Sequence, residues 1–158
     1  MLKLTKKTEY ALIAMSHLAR QPGAHVSARD LAKDYNIPAD LLAKVMQQLQ
    51  GAGLITSTQG SHGGYTIACE PGRVKLSDLI TEMEGPLAFI DCMRSGEAAP
   101  HEADCDQYKN CTIIGPLQLI NLKIKAVLDS YTLLDLISAK SPSGLESIHV
   151  KTHDAHLS

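Results

Sequence analysis

The sequence predicts a mainly helical protein with one small β-hairpin, and three observations lead there. Apolar residues recur at three- and four-residue spacing through residues 5–50, the period of helices that bury one face. Between Leu54 and Ala68 the pattern changes to strand-like runs on either side of Gln59-Gly60-Ser61-His62-Gly63-Gly64, a glycine-rich turn. Aromatic residues make up only 4% of the chain, with no Trp and one Phe, so the core has to be aliphatic.

The first helix spans Thr5 to Arg20, with Thr5 as its cap and Tyr10, Ile13, Ala14, His17 and Leu18 on the inner face. Gln21-Pro22-Gly23 ends it. Ser27 caps a second helix that reaches Tyr35, and Asp30 stands three positions on, where a capping box places its acceptor. Asn36-Ile37-Pro38 forms a turn. Pro38 then opens a third helix as its first residue, with Leu41, Leu42, Val45, Met46 and Leu49 as the apolar stripe and Gly51 or Gly53 as the stop. Helix, helix, turn, helix and hairpin within residues 1–70 is the order of a winged helix-turn-helix DNA-binding domain.

Residues 71–90 connect this domain to the rest, with a short amphipathic helix over Val74–Glu84 closing at Gly85-Pro86. Residues 91–111 lack apolar periodicity and read as a loop, long enough to indicate function. A long helix follows from Thr112 to Leu128. Its Ile113, Ile114, Leu117, Ile120, Leu122, Ile124, Val127 and Leu128 exceed what one stripe needs, which marks a dimerisation helix in a homodimer. Thr132 caps a last short helix ending at Ser138, inside a 112–139 segment. Residues 140–158, with Pro142, Gly144 and three His, read as a flexible tail.

Several classes are excluded. No apolar run approaches the roughly 20 residues of a spanning helix. The basic start, Met1 to Lys7, precedes neither an unbroken apolar stretch nor a small-residue cleavage site, so a cytoplasmic protein is expected. No nucleophile elbow, phosphate loop or acid–base pair stands out, and an enzyme is not expected. The net charge of −2 is uneven: residues 1–68 hold seven Lys/Arg against four Asp/Glu, and residues 69–158 hold eight against thirteen. The basic half is the one suited to phosphates.

A helix-turn-helix puts its second helix, here 38–50, into the major groove. Asp40, Ala43 and Lys44 lie on its outer face, with Gln47 one turn on. Lys44 suits guanine or phosphate, Gln47 adenine, and Asp40 the amino group of cytosine. At the wing tip, Gln59, Gly60, Ser61, His62 and Gly63 can come near a backbone because the glycines remove bulk. Thr5, Lys6 and Ser27, at the starts of the first two helices, complete the candidate contacts. The competing readings are a solvated helix face and a plain hairpin turn.

Cys92, Cys105 and Cys111 fall in the loop, with twelve and then five residues between them. In a reducing compartment such clustering suggests metal or redox chemistry rather than disulfides. The spacing lacks the short pairs of a zinc ribbon, and soft thiolates suit an iron–sulfur cluster, 2Fe–2S or 4Fe–4S. Structural zinc, a thiol switch and no role stay open on spacing alone. The corresponding alternative for the whole chain is a zinc-stabilised or thiol-redox dimeric protein-interaction module. Cys69 reads as a small buried hydrophobe.

Leu4-Thr5 with Glu9-Tyr10-Ala11-Leu12, then Leu31-Ala32 with Ile37-Pro38, and Gly53-Leu54-Ile55 with Gly60-Ser61-His62-Gly63-Gly64-Tyr65 resemble the IscR/NsrR/RirA family of winged-helix regulators. The three-cysteine loop after Glu84-Gly85-Pro86-Leu87 is similar too, and most so to regulators of the SUF iron–sulfur assembly operon. The resemblance covers residues 1–138. It implies a homodimer on palindromic double-stranded DNA, a cluster held by Cys92, Cys105 and Cys111, and transcriptional repression set by the cluster's state. The first cysteine gap is longer than usual in the family. The His that completes the set in IscR is replaced here by Ile114, and the usual wing Arg by Gln59. In NsrR-like members a carboxylate near the start of the first helix reaches the other subunit's cluster. Glu9 stands in that position and is the fourth ligand the resemblance implies, with His101 and Asp104 as alternatives.

Overall fold

Helix α1 (Lys6–Arg20) starts where Thr5 leaves the extended conformation and its Oγ1 accepts the Thr8 N–H at 3.3 Å. The computed structural model describes residues 3–60, 63–88 and 110–138, so Ser61, His62, Cys92, Cys105, His101, Asp104 and the expected tail lie outside the described residues. On α1 the buried residues are Thr8, Ala11, Ala14, Met15, Leu18 and Ala19. The inner face is therefore rotated from the expected one. Ala14 and Leu18 belong to it, whereas Tyr10, Ile13 and His17 are half-buried at its edge. Two alanines at the centre let the neighbouring helices approach closely, Met15 and Leu18 fill the interior beside them, and Tyr10 and Ile13 pack against the core from its edge.

Helix α2 (Ala28–Asp34) carries the expected capping box: Ser27 Oγ accepts the Asp30 N–H at 3.0 Å and donates to Asp30 Oδ2 at 2.6 Å. The turn passes through Asn36, a non-glycine residue at φ 51°. Helix α3 (Ala39–Gly51) begins one residue later than expected, because Pro38 takes the cap position rather than the first turn. Leu42, Val45, Met46 and Leu49 are buried, but Leu41 is 47% exposed. It lies one residue off that stripe, about 100° round the helix, so it leaves the core for the outer face. Ala52 is the C-cap, and Gly53 follows in the left-handed region.

Strands β1 (Ile55–Thr58) and β2 (Gly64–Ile67) pair antiparallel, with Ile55 opposite Ile67 and Thr58 opposite Gly64. A third piece of extended chain, not evident in the sequence, pairs with them: Val26 and Tyr65 exchange backbone hydrogen bonds of 2.9 and 2.8 Å. This fixes the wing to the segment that leads into α2. Both wing glycines at this end are sterically required. A Cβ at Gly63 would stand 2.1 Å from the Thr58 carbonyl oxygen, and one at Gly64 would stand 2.8 Å from that of Val26.

A short 3-10 helix (Pro71–Arg73) leads into α4 (Leu76–Glu84), followed by α5 (Ile114–Asp129) and α6 (Leu133–Ser138). Thr132 and Asp135 cap α6 reciprocally, the Thr132 N–H donating to Asp135 Oδ2 at 2.7 Å and the Asp135 N–H to Thr132 Oγ1 at 3.3 Å. One hydrophobic core takes in residues of α4 and α6 but none of the 3-10 helix or α5. Val74, Leu79, Met83 and Leu133 join Leu18, Leu31, Met46 and Leu49 in a single cluster. Burying each such Leu or Met side chain contributes about 1.5–3 kcal/mol, so α4 and α6 stabilise the helix-turn-helix directly.

Helix α5 is different. None of its residues is buried, and Leu119, Ile120, Leu122 and Val127 are exposed. It rests on α4, where Ser77 Oγ donates to Asp129 and Lys125 holds the same carboxylate at 2.9 Å. Among the described residues no helix is long and apolar enough to cross a membrane.

Candidate nucleic-acid interface and thiol site

The outer face of α3 follows from the inner one. With Leu42, Val45, Met46 and Leu49 turned into the core, Asp40, Lys44 and Gln47 are exposed and Ala43 is half-buried between them. The face thus offers one cation, one amide and one carboxylate, and no aromatic side chain. Thr58, Gln59 and Gly60 at the end of β1 are also exposed. Thr5, Lys6 and Ser27 are engaged within the fold. Thr5 caps α1, and Ser27 spends its hydroxyl on Asp30. Lys6 Nζ lies 2.5 Å from Glu9 Oε2, and that hydrogen bond raises the lysine pKa. Their main-chain groups and exposure suit phosphate contacts better than base reading.

The start of α1 is anchored by a residue that sequence reasoning passed over. Glu84 Oε1, at the end of α4, accepts the Thr5 N–H at 2.8 Å and the hydroxyl of fully buried Thr8 at 2.5 Å. Lys7 Nζ donates to the Met83 carbonyl at 2.8 Å beside it. Partial burial would push the Glu84 carboxyl up, but the hydrogen bonds from Thr8 and Thr5, with Lys7 nearby, outweigh it and hold the pKa below the ordinary glutamate range. A depressed folded-state pKa gives stability that is present above the unfolded value and lost as pH falls through the folded one. Glu84→Gln is therefore expected to flatten the loss of thermal stability below pH ~4.3, read as melting temperature against pH. An unchanged acid limb would refute the anchor. The sequence signal was an unexplained carboxylate directly before Gly85-Pro86, but its partner lies 76 to 79 residues away.

Of the four cysteines, two are described. Cys69 is half-buried against the core; burial raises its thiol pKa, and Sγ donates to the Leu54 carbonyl at 3.4 Å. It behaves as a small apolar side chain. Cys111 is free and half-buried, two residues ahead of the Ile113 cap of α5. Among the described residues no group of His, Cys, Asp and Glu is assembled that could hold a metal ion. Glu9 is on the first turn of α1, with its side chain 35% exposed and one oxygen on Lys6. A separate open groove between α1 and α6 is lined by Leu12, Ile13, Ser16, Arg20, Tyr35 and Leu136.

Comparison with known proteins identifies this arrangement. Residues 4–139 match the Rrf2 family model, described as an iron-dependent transcriptional regulator. The HTH-type transcriptional regulator CymR of Bacillus subtilis is 30% identical over 138 residues, covering 87% of this chain and 91% of its own. The solved structure of CymR, the global cysteine regulator of B. subtilis, superposes with a TM-score of 0.68 at 31% identity, over 89% of this chain and all of that one. IscR of T. potens does so with a TM-score of 0.68 at 27% identity, over 92% and 93% of the two chains. The exposed α3 and the hairpin hold the places of the recognition helix and the wing in a winged-helix fold, and the chain belongs to the Rrf2 family of transcriptional regulators.

Proposed function

We propose that the chain is a homodimeric repressor whose hold on palindromic DNA depends on an iron–sulfur cluster, and that it controls iron–sulfur assembly or related genes. The observation that carries this reading is the contrast between thiols. Cys69 packs against the core and donates to the Leu54 carbonyl, whereas Cys111 stands just ahead of α5, a helix with no buried residue. With Cys92 and Cys105 it forms a soft donor set that fits iron. Glu9 from the partner subunit is the proposed fourth ligand, and it fits because the Lys6 pair that holds it is exposed and gives up little when broken. A bound cluster would supply an iron-, oxygen- or redox-labile link between the cysteine segment of one protomer and α1 of the other. The apolar face of α5, with Leu119, Ile120, Leu122 and Val127, is the proposed dimer seam.

The test is purification without oxygen, with iron and sulfide assays and visible spectra, followed by DNA binding of loaded and metal-free protein across salt concentrations. Binding should fall steeply with salt, and Lys44→Ala should weaken it and lower the salt slope by about one if Lys44 meets a phosphate. No duplex binding by either form at low salt would overturn the regulator reading at this site. The likeness to CymR favours a second reading, a metal-free regulator that answers to cysteine supply. Colourless, iron-free protein with full DNA affinity would select it.

A further inference from the structure

The end of α4 is bound by side chains from three other helices. The Glu82 carbonyl accepts from Gln48 Nε2 of α3. The Met83 carbonyl accepts from Lys7 Nζ of α1 at 2.8 Å, and the Leu87 carbonyl from Asn121 Nδ2 of α5 at 3.0 Å. The last carbonyls of a helix have no partner within it, so those of Glu82 and Met83 are natural receptors for such donors, while Leu87 lies just past the helix end. The segment between them is stiff, because the Gly85 N–H returns to the Thr81 carbonyl at 2.8 Å and the ring of Pro86 fixes its own φ. This segment is the root of the cysteine stretch, five residues before Cys92.

Two details single out Gln48 and Asn121. Gln48 is the half-buried amide of α3, turned back to its own chain beside Gln47, which is exposed. Asn121 has its Oδ1 buried with no hydrogen-bond partner. Leaving a buried acceptor unpaired is unfavourable, and a leucine there would avoid the penalty. The amide is accounted for by what its Nδ2 holds, the carbonyl of Leu87.

We infer that Asn121 and Gln48 are positioning residues that work in series. Asn121 fixes the root of the cysteine stretch against α5, and Gln48 passes the position of that root to the C-terminal half of the DNA-reading helix. The route lies within one protomer and is separate from any ligand contributed across a dimer. It rests on the proposed function only in naming what moves the root; the mechanical link between Leu87 and α3 does not require a metal.

The test uses the full-length metal-free protein and a duplex selected from random-sequence DNA by the wild type. Asn121→Asp keeps the shape and removes the donor, Gln48→Leu removes the contact to Glu82, and Gln48→Lys retains a donor. Each of the first two should change DNA affinity by about threefold to tenfold, the scale of one modest hydrogen bond. The double variant should match one single variant rather than the product of both, although the residues share no contact. Gln48→Lys should restore the wild-type response to Asn121→Asp. Amide hydrogen exchange in the last turns of α3 should rise in Asn121→Asp and not rise further in the double variant. Should Asn121→Asp misfold, Asn121→Ser enters the same cycle. Multiplicative effects, or exchange in α3 indifferent to Asn121, would overturn the inference. In anaerobically loaded protein, Gln48→Leu should leave the visible spectrum intact while the loaded and metal-free affinities converge. Wild-type protein that takes up no iron would defeat the proposed function and leave the metal-free cycle to decide this one.

Discussion

Replacing Cys111 by Ala is expected to reduce iron and sulfide bound after anaerobic purification to background, and Cys92→Ala and Cys105→Ala should do the same. The helical circular dichroism should persist in all three. Cys111 lies outside the buried cluster that contains Leu18, Met46, Leu79 and Leu133, so no core contact is lost with it. Cys69→Ala is the control. Its thiol packs against the core and donates to Leu54, so its loss should lower stability by about 1 kcal/mol and leave iron content unchanged. Glu9→Ala should give a loaded protein whose absorption decays faster in air, because a carboxylate is a harder and weaker partner for iron than a thiolate. Iron retained at wild-type level in Cys111→Ala would remove the thiol reading. Decay unchanged in Glu9→Ala would move the fourth ligand to His101 or Asp104.

Gly63→Ala should have the other large effect, without touching any proposed ligand. The added methyl would meet the Thr58 carbonyl oxygen at 2.1 Å and the Gln59 carbonyl carbon at 2.9 Å, both of them backbone atoms that no rotamer change can move. The hairpin must open at that end, losing the Gly63 N–H to Gly60 carbonyl bond and straining the pairing of Thr58 with Gly64. A cost of about 2–3 kcal/mol is expected, read by denaturant midpoint, together with a loss of DNA affinity beyond that of Lys44→Ala. Gly51→Ala is the matched control, since a Cβ there meets nothing within 4 Å. Equal stability of the two variants would mean that the wing does not close as described.

Local chemistry made most of the fold legible. Ser27 with Asp30, Thr132 with Asp135, and the Leu42–Val45–Met46–Leu49 stripe each state their own structure within a few residues. The departures are local. Leu41 is exposed because it lies one residue off the Leu42–Val45–Met46–Leu49 stripe, and Tyr10 and Ile13 pack against the core from its edge while Ala11, Ala14, Met15 and Leu18 fill it. Contacts distant in sequence were not legible at all: Val26 with Tyr65, Glu84 with Thr5 and Thr8, and Gln48 with Glu82. Nothing around either partner announces such a pair, since one Glu or Gln on a helix surface reads like any other. The exposure of Asp40, Lys44 and Gln47 on the outer face of α3 was readable from the spacing of the apolar stripe. The wing glycines were read as making room for DNA, whereas their nearest constraint is the protein's own backbone at Thr58 and Val26.

The position of Leu133 changes where the molecule could be cut. It is fully buried among residues from the first half of the chain, and Val74, Leu79 and Met83 complete the same interior. A fragment ending at residue 70 would expose the undersides of Leu18 and Leu49 to water, and an exchange of halves between relatives at that point would join two incomplete interiors. The helix-turn-helix is therefore not a portable module. It shares one interior with α4 and α6, so a sequence change in α6 reaches it through the folded population alone.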